Sequence, residues 1–227
     1  AELIEQITAA APRLPWLRIL YAYPGYVTDR LIDLMATHPQ VLHYLDMPLQ
    51  HAHPETLKRM RRPANVEWVH RTLEKMRTAM PDLALRTTFI VGYPGETEEE
   101  FQALLDFIAE VKFDRVGVFP FSFEPGTTSE PLGDPIPAEV KQARAARVMQ
   151  LQESISLARN QALVGKTLPV LVEEIRNGVA VGRSYRDAPE IDGLVYAEGS
   201  AKPGEIVPVM VSGAMVHDLM GSVVAPA

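Results

Sequence analysis

The sequence predicts an α/β fold, a partial parallel β/α barrel followed by a small antiparallel β-barrel, on three observations. From Ala1 to about Gly126, short apolar or β-branched runs alternate with amphipathic stretches, the pattern of a parallel sheet flanked by helices. After a Pro- and Gly-rich break from Pro125 to Pro137, Val140, Val148, Leu151, Ile155, Ala158 and Ala162 recur at three- and four-residue multiples, which predicts one long helix ending near Gly165. From Lys166 onward the pattern changes to short alternating strands, and a barrel closes such strands without exposed edges. The expected divisions are 1–135 for the partial β/α domain, 136–164 for the connecting helix and 165–227 for the barrel.

A helix-like run, Ala1 to Ala10, opens the chain. Four strands follow at Leu17 to Tyr23, Leu42 to Met47, Ala84 to Val91 and Arg115 to Phe121, near-continuous apolar runs suited to burial on both faces. Pro54 suits a first helical position before Leu57 and Met60. Asn65 caps a helix carrying Val69, Leu73, Met76 and Met80, which Pro81 stops. Thr97 with Glu98, Glu99 and Glu100 is a capping box whose helix presents Phe101, Leu104, Leu105 and Ile108 on one face. In the last segment, strands are expected at Leu168 to Ile175, Val179 to Tyr185, Leu194 to Glu198 and Glu205 to Val211, with further strand character to Val224. No internal repeat is present.

Length and composition exclude several function classes. At 227 residues with 47% hydrophobic content, the chain suits one large domain plus a small one. No run approaches the roughly 20 apolar residues a membrane helix needs, and Ala1 to Ala11 lacks the regions of a signal peptide, so a cytoplasmic location without a membrane partner is expected. The net charge of -7 argues against a protein held mainly by phosphate contacts. The absence of cysteine removes disulfides, thiol nucleophiles and the thiolates that hold iron–sulfur clusters.

In a parallel β/α arrangement the functional groups lie where strands run into their loops. Those ends read Tyr21-Ala22-Tyr23-Pro24, Asp46-Met47-Pro48-Leu49-Gln50-His51, Thr87 to Glu96, and Phe119-Pro120-Phe121-Ser122. Gly92 and Gly95 bracket a strand-to-helix turn where a missing side chain lets a planar base approach the backbone. For an isolated pair of glycines, a plain turn is the better account.

Thr87 to Thr97 resembles the late-strand signature of radical-SAM methylthiotransferases, and Leu20 to Gly25 and Tyr44 to His51 match neighbouring strand ends of that family in order. The resemblance covers essentially the whole chain. It implies the last four strands of a six-stranded partial β/α barrel, lacking the first strands, followed by a TRAM-type, OB-like barrel. It also implies an enzyme in which a [4Fe-4S] cluster cleaves S-adenosylmethionine (SAM), the deoxyadenosyl radical abstracts hydrogen and a second cluster joins the methylthio transfer. The family holds its radical cluster on a Cys-x-x-x-Cys-x-x-Cys segment and the second on three further cysteines, and this chain contains neither set. A fragment that begins on a barrel helix and is inactive by itself is therefore expected.

Carried over residue by residue, the resemblance places the backbone at Val91 and Gly92 against the SAM adenine, with Arg86 and Gln50 as candidates for its polar groups. A solvated strand-start position accounts for Arg86 equally well. Tyr23, Tyr93 and Phe121 are substrate-side candidates, although aromatic residues at strand ends are also ordinary packing groups. His51 and His53 on a loop suit a capping or surface role better than a metal site, and no metal ligands are assigned. Glu96 suits the positive end of the following helix. The basic run Lys58 to Arg62 reads as a solvated helix end that can also meet a ribosomal partner or RNA.

Between Lys166 and Ala227 five basic residues face eight acidic ones, a net charge of -3. Such a module suits a basic protein better than a phosphate backbone. Gly182 to Gly193 and Leu45 to His51 resemble segments of the branch that methylthiolates the β-carbon of an aspartate in ribosomal protein S12. That branch implies S12, within or outside the ribosome, as partner, with Tyr185 and Asp187 on a polar hairpin loop whose replacement leaves the fold intact. A tRNA-modifying relative and a non-catalytic ribosome- or RNA-binding module are the alternatives.

Overall fold

The computed structural model describes residues 1–225, so the last two positions of the expected barrel segment, Pro226 and Ala227, lie outside the described residues. By its internal contacts the chain divides into two units, Ala1–Gln152 and Glu153–Ala227.

The first unit opens with α1 (Glu2–Ala10) and is built on four parallel strands in sequential order, β1 (Leu17–Ile19), β2 (Val41–Asp46), β3 (Ala84–Val91) and β4 (Arg115–Pro120). Helices α2 (Asp29–Thr37), α3 (Pro54–Arg59), α4 (Val66–Ala79) and α5 (Glu98–Val111) fill the connections. Their starts follow local chemistry. Asn65 accepts the Trp68 N–H at 2.9 Å, Thr28 accepts that of Leu31 at 3.3 Å, and Thr97 with Glu100 completes a reciprocal capping box.

Along β3 the side chains alternate sharply. Thr87, Phe89 and Val91 are buried, and Phe89 meets Phe107 and Phe113 edge-on at 6.4 and 5.9 Å. Each fully buried ring of this kind contributes about 2–3 kcal/mol through the apolar area it removes from water. Arg86, Thr88 and Ile90 point to the opposite, partly open face. Burial on both faces, expected for all four strands, therefore fails: β3 keeps one partly open face, Phe119 of β4 is more than half exposed, and so are Leu20 and Tyr21 just beyond the end of β1. The strand expected to reach Tyr23 ends at Ile19, because β1 lies at the sheet edge with β2 as its sheet neighbour.

Helix α6 (Ala138–Gln161) begins in the first unit, where Lys141, Arg144 and Gln152 are buried. Gln152 donates to the Phe113 carbonyl at 2.9 Å. In the second unit β5 (Thr167–Arg176), β6 (Val179–Ser184), β7 (Val195–Glu198), β8 (Ile206–Ala214) and β9 (Leu219–Val223) close a barrel in the order β5-β6-β7-β9-β8. All its pairings are antiparallel except β7 with β9, which run parallel. Val170, Val172, Val195, Val209, Val211 and Leu219 fill its interior. A Cβ at Gly182 would collide with the Leu171 carbonyl, so glycine there lets β6 pass close to β5.

Candidate functional site

The carboxyl ends of β2, β3 and β4 surround a cavity of about 540 Å³ lined by Gln50, Met60, Arg62, Thr88, Ile90, Tyr93, Phe119, Pro120, Phe121, Ser122, Thr128 and Ser129. Gln50 reaches it through an unusual backbone. With φ at 71° it occupies the left-handed region, which costs a non-glycine residue about 1–2 kcal/mol. Two bonds to β3 hold it there: its N–H donates to Thr88 O at 2.9 Å and its carbonyl accepts from Ile90 N at 2.8 Å. Tyr93 and Phe121 meet edge-on at 5.1 Å, and the Tyr93 hydroxyl donates to the Arg59 carbonyl at 3.3 Å. Burial pushes that hydroxyl's pKa up, against the opposing influence of Arg59, Ser129 and Arg61.

Behind the rim lies a buried polar cluster centred on Glu96. Its Oε2 accepts from the N–H groups of Gly92 and, at 3.0 Å, Tyr93, while its Oε1 faces Arg144 Nη1 at 3.5 Å and His51 Nε2 at 3.8 Å. The His51 Nδ1 accepts from the His53 N–H at 3.0 Å, so in the neutral imidazole the proton sits on Nε2, toward the carboxylate. Glu96 thus closes the turn after β3 and ties it to both the β2 loop and α6. A second network joins α3 to α5. Glu100 receives Arg59, Thr56 Oγ1 at 3.1 Å and the Thr97 N–H at 3.1 Å. Burial by itself would raise its pKa, but the bonds and charge from Arg59, with the Thr97 N–H and the Thr56 hydroxyl, outweigh it and bring it to about 2.

Gln50, Tyr93 and Phe121 come together on the cavity. Val91 is fully buried and its carbonyl accepts from Phe121 N at 2.8 Å. Gly92 has φ at 72° and its N–H is taken by Glu96; the space a Cβ would need is filled by the Lys141 stem. That lysine then reaches the Phe121 carbonyl at 3.1 Å and both oxygens of Asp134. Arg86 is not the solvated strand-start residue that was one reading of it: it pairs with buried Asp46 on the open sheet face. Tyr23 lines a second, largely apolar cavity of about 110 Å³ together with Leu49, His51 and Trp68.

In the second unit, Asp187 corrects an expectation. Its carboxylate is buried and accepts from Ser184 Oγ at 2.7 Å and Ser184 N at 3.3 Å, so it closes its own turn and its replacement cannot leave the fold untouched. Tyr185 packs partly against the barrel core. Arg62, Lys141 and Arg144 were missed as parts of the site. Arg62 sits in a basic run that reads as surface, and the other two lie on a long helix whose polar positions carry no signal of burial.

Two domain models match this architecture of a parallel β/α sheet with a cavity at its carboxyl rim and a closed five-stranded barrel. The Radical SAM superfamily model matches residues 1–108 and the TRAM domain model residues 164–224. Ribosomal protein uS12 methylthiotransferases RimO are similar to this chain along nearly its whole length. That of Herpetosiphon aurantiacus is 49% identical over 98% of the chain and 48% of the relative, and that of Roseiflexus sp. (strain RS-1) 51% over 100% and 49%. A Thermus thermophilus protein of the same name is 50% identical over 97% and 51%. The chain is thus similar to a C-terminal portion of RimO proteins, with a Radical SAM superfamily match in its first unit and a TRAM domain match in its second. It spans about half the length of the relatives it matches. Coproporphyrinogen III oxidase (HemN) of Escherichia coli shares the fold at a TM-score of 0.52 and 19% identity, over 63% of this chain and 32% of that one.

The family implies SAM and [4Fe-4S] clusters. The residues here do not fit cluster ligation, since the sequence has no cysteine and no three His, Asp or Glu gather into a metal-binding group among the described residues. The rim cavity does fit a small organic ligand: its volume falls within the roughly 300–1,000 Å³ of such sites, and Gln50, Arg62, Thr88, Ser122, Thr128 and Ser129 supply polar groups beside apolar ones.

Proposed function

We propose that this chain is part of an enzyme that methylthiolates the β-carbon of an aspartate in ribosomal protein S12 in the cytoplasm, and that it is not catalytic by itself because cluster ligands must come from elsewhere. The observation that carries this reading is the near-50% identity to uS12 methylthiotransferases along almost the entire chain. SAM, when bound beside a reduced cluster, supplies the agent that removes the substrate hydrogen; two clusters take part in the complete enzyme. The chain's own contribution is to bind and orient. Gln50 offers donors and acceptors to SAM across the cavity, the backbone at Val91 and Gly92 supports its adenine from the end of β3, and Arg86 holds the sheet face beneath. Tyr93 and Phe121 keep the substrate-side wall dry, with Tyr23 across the second cavity. Tyr185 and the turn that Asp187 closes present the barrel to S12, and its net charge of -3 attracts a basic protein and opposes tRNA.

The test is direct binding of purified S12 and of bulk tRNA to the chain across a salt series. S12 should bind and tRNA should not. A chain that ignores S12 and binds tRNA with a steep dependence on salt belongs to the tRNA-modifying alternative. Incubation with SAM, reductant, iron and sulfide should leave S12 without a methylthio group by mass spectrometry, and its appearance would refute the inactivity of the isolated chain.

A further inference from the structure

We infer that Arg62 is the carboxylate-recognising residue of the rim cavity, taking an anion carried either by the aspartyl side chain of a protein substrate or by the amino-acid part of SAM. The choice of ligand rests on the function proposed above; the recognition of a carboxylate rests on the cavity itself.

Arg62 is the only ionised side chain among the described residues that line the cavity. The remaining wall is aromatic, aliphatic or neutral and polar, with Ile90, Phe119 and Phe121 among its apolar members. A carboxylate moved from water into such surroundings loses hydration that only a cation and its hydrogen bonds restore. The neighbouring arginines are already committed: Arg59 to Glu100, Arg86 to Asp46 and Arg144 to Glu96. Among the described residues no carboxylate lies within ion-pair distance of Arg62. Its guanidinium lies 5.6 Å from the centroid of the Tyr23 ring, a contact that orients the planar group without neutralising it.

The backbone explains why a basic run that reads as solvated delivers one of its members to the site. Arg61 adopts a left-handed φ of 54°, which ends α3 abruptly, and the Arg62 N–H then bonds back to the Leu57 carbonyl at 2.8 Å. Arg62 is left half-buried on the wall shared by the two cavities, while Lys58 stays out with Glu55.

The experiment titrates the isotope-labelled full chain with two matched pairs, N-acetyl-aspartyl-methylamide against its asparagine counterpart, and SAM against decarboxylated SAM, following the Arg62 side-chain N–H and the cavity resonances. At least one acid should bind about tenfold or more tighter than its neutral partner. Arg62→Gln should erase that preference, Arg62→Lys should keep part of it, and Lys58→Gln should change nothing. For the aspartyl pair the preference should vanish below about pH 4, where the carboxyl is protonated. A preference confined to the aspartyl pair assigns Arg62 to the protein substrate; one confined to the SAM pair assigns it to the amino-acid part of SAM. Equal or absent binding within both pairs, or a preference that survives Arg62→Gln in a folded chain, overturns the inference. Loss of S12 binding with the Arg62-dependent preference intact would sink the S12 reading alone.

Discussion

Glu96 and Glu100 stand on either side of the cap residue Thr97 at a single helix start, yet they answer different physical demands. Glu96 has a side chain with no exposure and serves two backbone N–H groups and Arg144 at once. Glu96→Ala strands both N–H groups, while Arg144 keeps the Glu96 carbonyl and Glu98, so it should cost about 2–4 kcal/mol in urea unfolding, whereas Glu96→Gln keeps an acceptor and should cost about 1–2 kcal/mol. Glu100 controls the acid limb of stability. Its folded pKa of about 2 lies below the ordinary 4.5, so the stabilisation it brings is complete above pH 4.5 and fades as pH falls toward 2. That stabilisation is on the order of 2 kcal/mol once solvent screening is allowed for, and Glu100→Gln should flatten the unfolding free energy against pH across this window.

The turn between β3 and α5 shows how the elements depend on one another. Gly92→Ala would place a methyl group against the Lys141 stem at a φ of 72°, and should destabilise by about 2 kcal/mol or more. Lys141→Ala should relieve part of that cost, so a double-mutant cycle by chemical denaturation should show coupling. The helix starts at Asn65 and Thr97 were legible because caps act through neighbours three residues away, and β3 was legible to the residue because it is a central strand. Edge behaviour was not, since nothing in the run Leu17 to Tyr23 states that a second sheet neighbour is missing. The cavity aromatics Tyr93 and Phe121 could be picked out from strand ends. What sequence could not supply was the commitment of each charge, because the pairing of Arg86 with Asp46 or Arg59 with Glu100 joins residues far apart in the chain. Asp187 is hidden from the sequence for the opposite reason: a polar residue in a loop reads as exposed, whereas its own turn buries it.

At the scale of the whole chain, charge bears on the partner proposed for it. A net charge of -7 with -3 in the barrel segment should make S12 association faster at low salt and slow it as salt screens the attraction, measurable by stopped-flow mixing. A rate indifferent to salt would argue that apolar docking, not charge, drives encounter. Helix α6 carries a separate lesson about modularity. The boundary between the compact units falls between Gln152 and Glu153, within α6, and Lys141, Arg144 and Gln152 each have a partner in the first unit. A chimera that exchanges barrels between relatives should therefore be spliced after Gln152. A junction placed before Ala138, where the proline-rich break invites it, would import foreign side chains into the clasp that holds the β3 turn shut.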